Sequence, residues 1–312
     1  MLGRGVAQQL AAGRAGLWSE EVLEACAACD AVVVNVECCI STRGSPTTLI
    51  PSKPFFFRSP PAGVDELTAI GTTVAGLANN HALDFGPEAL ADTLLHLRDA
   101  GMATAGAGLD IEEARPGALV PVGNLSLGVL AVSDHPAEFA AGDRSPGVAY
   151  ADLRRSLPHW VPAEIDRLRE VADLVLAFPH WGPNMTIRPA GWQCRLAAAL
   201  IDAGADAVAG HSAHVFHGIE LLPGGLVLYD LGDALDDYAV DPELRNDLGI
   251  LALWRPRGEP RLELVGLALD YCRTRLAEDA DADWIAARLA RACEELGTAL
   301  ERAGEARFVI EE

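Results

Sequence analysis

The sequence has few basic side chains and no long apolar run. Lysine and arginine together number 24 against 45 aspartates and glutamates, which gives a formal net charge of −21. A surface of that sign repels a phosphate backbone, so nucleic acid is not expected as a partner. Because the sequence contains no apolar run of about eighteen residues, no direct membrane span is expected. Half of the 312 residues are hydrophobic, and we expect a globular protein with a large core, cytoplasmic as given.

Cysteine is scarce and shows no disulfide pattern. The seven cysteines are odd in number and scattered, which favours reduced thiols over a disulfide framework. Cys26 and Cys29 form a CxxC, but this pair lies in a predicted helix and has no second pair. A structural role is therefore favoured for it over zinc binding or redox chemistry.

Predicted strands alternate with predicted helices along most of the chain. Strands are predicted at 31–36, 72–77, 173–178 and 207–209. A Gly-Asn turn at 123–124 between two apolar runs predicts a hairpin. The alternation indicates an α/β protein, and in open α/β sheets ligands bind at the carboxyl ends of the strands.

Polar side chains with metal-ligand chemistry follow these strands. In chain order they are Glu37, Asn80, His81, His180, His211 and His214. Three of the eight histidines, His211, His214 and His217, lie within 206–220, where a neutral imidazole after a core strand suits metal ligation. The alternative is a polar loop in which histidines cluster by chance. The mixture of carboxylate, carboxamide and imidazole suits Mn, Zn or Fe better than the metals that prefer thiolates.

Several segments of the sequence resemble the CapA family of poly-γ-glutamate capsule biosynthesis proteins, in the calcineurin-like metallophosphoesterase superfamily. The segments are MLGRG at 1–5, VNVE at 34–37, ANNHALDFG at 78–86, HWG at 180–182, GHSAHVFHGIE at 210–220 and YDLGD at 229–233. The resemblance implies an α/β fold, a sandwich of two mixed β-sheets flanked by helices, with its first strand missing. The implied metallophosphoesterase-like domain spans residues 1–275, and residues 276–312 form a helical extension packed on it.

The resemblance also implies a role for each matching residue. The implied catalytic groups are His81, as general acid or phosphate-contacting group, and Asp84. The implied ligands of one or two divalent ions are Glu37, Asn80, His180, His211 and His214. The groups implied to contact substrate or to hold the ligands in place are Arg4, Asn35, Asn79, His217, Asp230 and Asp233.

The sequence departs from the family pattern at three points. The usual H-x-H pair is H-S-A-H at 211–214, the glutamate that commonly follows HWG is replaced by Pro-Asn at 183–184, and no Gly-Asp motif precedes the first segment. From the last departure we expect Met1 to be an internal methionine, with a strand ending in Gly-Asp and any signal or anchor upstream. The alternative is a diverged member that begins here. Without that aspartate a two-metal site lacks one ligand.

The function that the resemblance implies is metal-dependent hydrolysis of a phosphoester or γ-glutamyl-type substrate in poly-γ-glutamate capsule biosynthesis. The substrate is a small molecule or a polymer, and capsule biosynthesis proteins are candidate partners. An alternative from another class is a non-catalytic component of polymer assembly or export that keeps the fold. A metal-dependent amidohydrolase barrel also places His and Asp at strand ends, but the predicted hairpin and the Asn-Asn-His motif count against it.

Overall fold

The computed structural model describes residues 1–14, 16–258 and 261–310. The helices are α1 (Arg4–Ala11), α2 (Glu20–Ala27), α3 (Gly63–Ala69), α4 (Pro87–Asp99), α5 (Ile111–Ala114), α6 (Trp160–Arg169), α7 (Gly191–Asp202) and α8 (Asp279–Glu294), with a 3-10 helix at Ala137–Phe139. The first nine strands are β1 (Val32–Asn35), β2 (Cys39–Ile40), β3 (Arg58–Ser59), β4 (Thr72–Gly76), β5 (Ala103–Ala105), β6 (Ala107–Gly108), β7 (Ala118–Val122), β8 (Leu125–Ser133) and β9 (Gly147–Val148). The others are β10 (Leu174–His180), β11 (Ala207–Ala209), β12 (Ile219–Leu222), β13 (Gly225–Leu228), β14 (Leu248–Trp254), β15 (Leu262–Asp270), β16 (Arg273–Leu276), β17 (Glu301–Arg302) and β18 (Arg307–Ile310). None of the described helices is long and apolar enough to cross a membrane.

The strands form three principal sheets. The first is parallel, in the order β1-β4-β5; the second has six strands, in the order β12-β13-β11-β10-β8-β7; and the third is antiparallel, in the order β14-β15-β18-β17 with β16 on β15. The predicted α/β class, with helix-flanked sheets, is confirmed. Two mixed sheets are expected. Among the described strands, the six-stranded sheet contains both parallel and antiparallel pairs, whereas each of the other two principal sheets has pairs of one kind.

The centre of the six-stranded sheet is buried on both faces. All seven residues of β10 are buried, and β10 pairs in parallel with β8 on one side and β11 on the other. Continuous apolar runs such as this are typical of parallel strands that are covered on both faces. Helices α6 and α7 cover one face through Ile165, Leu168 and Leu200. Parallel pairing places the carboxyl ends of β8, β10 and β11 at one edge of the sheet.

Strand β1 is less buried than its sequence predicts. Its continuous Val run predicts burial on both faces, yet all four residues are only half-buried. Among the described strands β1 pairs with β4 alone, so it is the end strand of its sheet and one of its edges is not covered by another strand. Its other side faces a cleft of about 500 Å³ lined by apolar side chains that include Val33, Phe178 and Ala252. A cavity of about 210 Å³ shares these three side chains and reaches Glu37 and His214.

The C-terminal part of the chain returns to the antiparallel sheet. A helix is predicted over 283–303, but α8 spans Asp279–Glu294 and is followed by Gly297, whose φ is +77°. Strand β18 then pairs with β15. Over the described residues 276–310, α8 is therefore the one helix, and β17 and β18 belong to the antiparallel sheet. The last two residues of the predicted extension, 311 and 312, lie outside the described residues.

The cleft beside β1 leads to a prediction on stability. Ala252 is half-buried and lines both cavities, so Ala252→Leu places apolar atoms in open space without displacing packed neighbours. We expect the free energy of unfolding to rise by about 1 kcal/mol, measured by urea denaturation. The matched control is Ala27→Leu at an exposed helical position, which should change it by less than about 0.5 kcal/mol. An unchanged or lower stability for Ala252→Leu would show that the cleft is closed in solution.

Candidate functional site

Two histidines lie side by side at the carboxyl ends of β10 and β11. His180 is the last residue of β10, and His211 follows β11 after Gly210. The Trp181 N–H donates to the His211 carbonyl oxygen at 3.0 Å, which continues the strand pairing and sets the two histidine ring centroids 5.0 Å apart. A Cβ at Gly210 would lie 2.3 Å from Nε1 of Trp181, so only glycine fits this turn.

Both of these imidazoles are neutral at pH 7. Burial, followed by the neighbouring imidazoles, holds the pKa of His180 well below its usual range. Burial lowers the pKa of His211 to about 3. Both ring nitrogens of His180 and Nδ1 of His211 are buried and have no hydrogen-bond partner among the described residues. A neutral imidazole carries a lone pair on one of its two nitrogens, and that lone pair of His180 is therefore available to a ligand.

His81 is held in place by a buried carboxylate. Nδ1 of His81 lies 2.6 Å from Oδ2 of Asp84, which also accepts the Phe57 N–H at 2.7 Å. The other oxygen, Oδ1, lies 3.2 Å from Nζ of Lys53, the single lysine of the sequence. With Nδ1 engaged in this way, the His81 ring keeps one orientation and presents Nε2 toward Glu37, 4.0 Å from Oε1.

A chain of side-chain amides positions Glu37. Asn79 donates from Nδ2 to Oδ1 of Asn35 at 3.0 Å, and Asn35 donates from Nδ2 to Oε2 of Glu37 at 2.8 Å. Oδ1 of Asn79 accepts the His81 N–H at 3.0 Å. Glu37 Oε1 is buried and has no hydrogen-bond partner in the described part of the chain. The structure thus uses Asn35 and Asn79 to hold the carboxylate and the imidazole side by side.

His214 carries a proton that two carboxylates stabilise. Its Nδ1 lies 3.0 and 3.1 Å from the two oxygens of Asp233, and its Nε2 lies 3.9 Å from Glu37 Oε1. Burial opposes the charge on His214, but the charge and hydrogen bond of Asp233 and the charge of Glu37 raise its pKa to about 10. The same ion pair lowers the pKa of Asp233 against the effect of burial.

The segment that carries His214 is strained and is tied by Asp230. Ser212 and His214 have φ of +128° and +58°, values that cost free energy for residues other than glycine. Asp230 accepts the Ala213 N–H at 2.7 Å and the Gly232 N–H at 2.9 Å. Burial raises the pKa of Asp230 to about 7. These hydrogen bonds hold the segment 211–214 in a conformation in which His211 lies beside His180 and His214 bonds to Asp233.

The remaining predicted site residues are Arg4, His217 and Asn80, and each has a different environment. Arg4 is 40% exposed, and its Nε lies 3.3 Å from Oδ2 of Asp237. The Arg4 guanidinium also lies 5.7 Å from the centroid of the Phe57 ring. The Nε2 of His217 bonds to the Thr186 carbonyl oxygen at 2.9 Å, which directs that ring toward the loop after β10. Oδ1 of Asn80 is buried without a hydrogen-bond partner among the described atoms.

Three further residues, not predicted from the sequence, lie at this site. Lys53 lies in the loop before β3 and pairs with Asp84. Asp134 and His135 directly follow β8. The Nδ1 atom of His135 bonds to Asp134, and the His135 ring centroid lies 5.1 Å from that of His180. The rule that polar residues after strands form the site would have found His135, since it follows Ser133 by two positions.

The donor set fits a divalent ion in its chemistry. Neutral imidazoles, a carboxylate and a carboxamide are its ligand types, and the buried unpartnered atoms of Glu37, Asn80, His180 and His211 are the kind that bound ions satisfy. As the side chains stand, no group of three or more His, Cys, Asp or Glu among the described residues is close enough to hold an ion. Ligation therefore requires side-chain rotation, and metal binding is a proposal.

Comparison with known proteins identifies related chains. Residues 1–238 match the family of the bacterial capsule synthesis protein PGA_cap. A probable polyglutamine synthesis accessory protein of Mycobacterium tuberculosis (strain H37Rv) is 35% identical over 272 residues, covering 83% of this chain and 71% of the relative. The PGA biosynthesis protein CapA of Bacillus subtilis is 33% identical over 176 residues, 56% of this chain and 45% of the relative.

Two further similarities are more distant. The capsule biosynthesis protein CapA of Bacillus anthracis is 30% identical over 174 residues, 54% of this chain and 41% of the relative. The crystal structure of a hypothetical protein from Thermus thermophilus has a TM-score of 0.45 at 17% identity, covering 81% of this chain and 88% of that one. This structural similarity is too low to support an assignment.

The buried His217 leads to a prediction on pH dependence. Burial lowers its pKa from 6.5 to about 4, so the folded protein binds its proton less well than the unfolded chain. The stability from neutral His217 is present above pH 6.5 and is lost as the pH falls toward 4. We expect this residue alone to account for about 2 kcal/mol between pH 7 and pH 5.

The measurement is urea denaturation of the metal-free wild type and of His217→Gln at both pH values. His180 and His211 titrate in the same direction in both proteins, so the difference between the two slopes isolates His217. The exposed His159→Ala is the control and should keep the wild-type pH dependence. Equal pH dependence in wild type and His217→Gln would contradict the prediction.

Proposed function

Because the chain belongs to the PGA_cap family of bacterial capsule synthesis proteins, we propose that it is a metal-dependent hydrolase of phosphoester or γ-glutamyl-type bonds in poly-γ-glutamate capsule biosynthesis. One observation supports this above the others: buried donor atoms without hydrogen-bond partners, on Glu37, His180 and His211, lie at the same end of the fold as the His81–Asp84 pair. A purely structural site would satisfy those atoms internally.

Four of the residues proposed to hold the ion have a donor atom without a hydrogen-bond partner in the described part of the chain: Glu37, Asn80, His180 and His211. The fifth is His214, whose Nδ1 is bonded to Asp233. A divalent ion held there supplies Lewis-acid stabilisation of negative charge that develops on the substrate. His214 carries a proton at neutral pH, so its part in ligation requires that proton to leave. Asn35 and Asn79 keep Glu37 beside His81.

His81 is proposed to act on the leaving oxygen. Asp84 holds Nδ1 of the ring, so Nε2 is the atom that donates a proton or a hydrogen bond to the substrate. Lys53 and the Phe57 N–H stabilise the buried charge of Asp84. The His81 ring lies edge-on to Phe57 with centroids 4.6 Å apart, which limits its rotation. These contacts support the proposed role of His81 as a positioned general acid.

An anionic substrate can bind to this acidic protein only if positively charged side chains lie next to the binding site. The net charge of −21 opposes the approach of an anion. Arg4 lies at the rim of the site beside Phe57, and Arg154 is 59% exposed with its Nε 3.7 Å from Oδ2 of Asp134. We propose that these two guanidinium groups receive the phosphate or carboxylate groups of the substrate.

A non-catalytic role in polymer assembly is the second candidate function. The Mycobacterium tuberculosis relative is named an accessory protein of polyglutamine synthesis. The donor side chains described here do not converge on one point without rotation, as expected of a chain that keeps the fold without catalysing hydrolysis. Activity separates the two candidates.

The test is a hydrolysis assay of the purified chain with added Mn²⁺. Aryl phosphodiesters, aryl phosphomonoesters and γ-glutamyl anilides are offered as separate substrates. We expect turnover on at least one class, and a loss of at least about 100-fold for His81→Ala and for His180→Ala.

His159→Ala, at an exposed position on the surface, is the matched control and should keep the wild-type rate. Metal analysis of the same samples distinguishes the candidates further. Bound metal without turnover on any of the three substrate classes would favour the assembly role over hydrolysis.

A further inference from the structure

We propose that His135 belongs to the metal-binding set, so that His135, His180 and His211 form a three-imidazole site for a divalent cation at the carboxyl ends of β8, β10 and β11. The inference rests on the metal binding in the proposed function and deepens it. It changes which residues hold the ion.

The first support is the register of three neighbouring strands. Strand β10 lies between β8 and β11 in the six-stranded sheet. The Asp134 N–H donates to the His180 carbonyl oxygen at 3.0 Å, and the Trp181 N–H donates to that of His211 at 3.0 Å. These two hydrogen bonds continue the pairing past the strand ends. His180 is therefore placed by the sheet itself, and His135 and His211 each follow the end of a neighbouring strand by two residues.

The second support is the spacing of the rings. The His180 ring centroid lies 5.1 Å from that of His135 and 5.0 Å from that of His211. Two imidazoles that share a tetrahedral ion at metal–nitrogen distances of about 2.0–2.1 Å have ring centroids roughly 5 Å apart. His180, as the middle residue, has this spacing to both neighbours. Ligation of one ion by all three rings requires side-chain rotation, because the rings do not converge as they stand.

The third support is the state of the nitrogen atoms. His180 is fully buried, and neither of its ring nitrogens has a hydrogen-bond partner among the described residues. The Nδ1 atom of His211 is also buried and also lacks a partner there. A buried imidazole without partners costs free energy unless something binds it. An apolar ligand does not satisfy these lone pairs, whereas a cation does.

The fourth support is the carboxylate behind His135. Asp134 is fully buried and bonds to Nδ1 of His135, and it also accepts the Gly182 N–H at 3.2 Å. A carboxylate on one ring nitrogen fixes the tautomer in which the other nitrogen ligates a metal. The His135 side chain is 29% exposed, so an ion reaches it from solvent. The Asp134–His135 pair is the carboxylate–histidine part of such a metal site.

The test is metal affinity, independent of turnover. The full-length chain is stripped with EDTA and titrated with Zn²⁺ by calorimetry and with Co²⁺ by visible ligand-field absorption. We expect His135→Ala to raise the Kd at least about tenfold and to change the Co²⁺ spectrum, and Asp134→Asn to raise the Kd about tenfold. His159→Ala is the surface control and should match wild type.

Chemical rescue separates ligation from folding. His135→Gly leaves space for free imidazole, which should restore the Co²⁺ spectrum of wild type if residue 135 is a ligand, and circular dichroism confirms that each variant is folded. Equal Kd and equal spectra for wild type and His135→Ala would overturn the inference while leaving the proposed metal site intact. A wild-type chain that binds neither ion would overturn both.

Discussion

The parallel pairing of β8, β10 and β11 is the constraint on which the site depends. It places the last residues of three strands at one sheet edge, and the hydrogen bonds that continue beyond the strands hold His135, His180 and His211 in order. Main-chain pairing positions side chains more reproducibly than a loop does, because each strand is buried on both faces by packed apolar residues. Gly210 allows β11 to turn against Trp181 at this edge.

Buried charge is the second constraint, and the protein meets it with few cations. Asp84 is paired with Lys53 and with the His81 ring. Asp233 is paired with the charged His214, whereas Asp230 relies on two main-chain N–H groups and has its pKa raised to about 7 by burial. An acidic chain with one lysine thus keeps its buried carboxylates by giving each a specific donor. By contrast, His180 has no carboxylate partner, and neither of its ring nitrogens has a hydrogen-bond partner among the described residues.

How far the sequence predicts this site follows from the physics of each residue. Strand ends are visible as apolar runs followed by polar residues, so Glu37, His180 and His211 are found by that rule. The same rule applies to His135 after β8, but its place beside His180 depends on β8 lying next to β10, which is a nonlocal pairing. The half-burial of β1 and the return of β18 to β15 are nonlocal in the same way. The periodicity of hydrophobic residues in the sequence indicates which face of a segment is buried. It does not indicate which strand lies next to that segment in the sheet.

The two halves of the site differ in how well the fold supports them. His180 and His211 stand on interior strands of a six-stranded sheet, whereas Asn35 is the last residue of β1 and Glu37 follows it by two positions. Strand β1 pairs on one edge only, and a cleft of about 500 Å³ lies behind Val33. Main-chain groups that lack a strand partner open more readily than those in a sheet interior. Glu37 depends on Asn35 and Asn79 because those amide hydrogen bonds supply the support that a second neighbouring strand gives to His180. The imidazole half is therefore the part of the site that the sheet supports better.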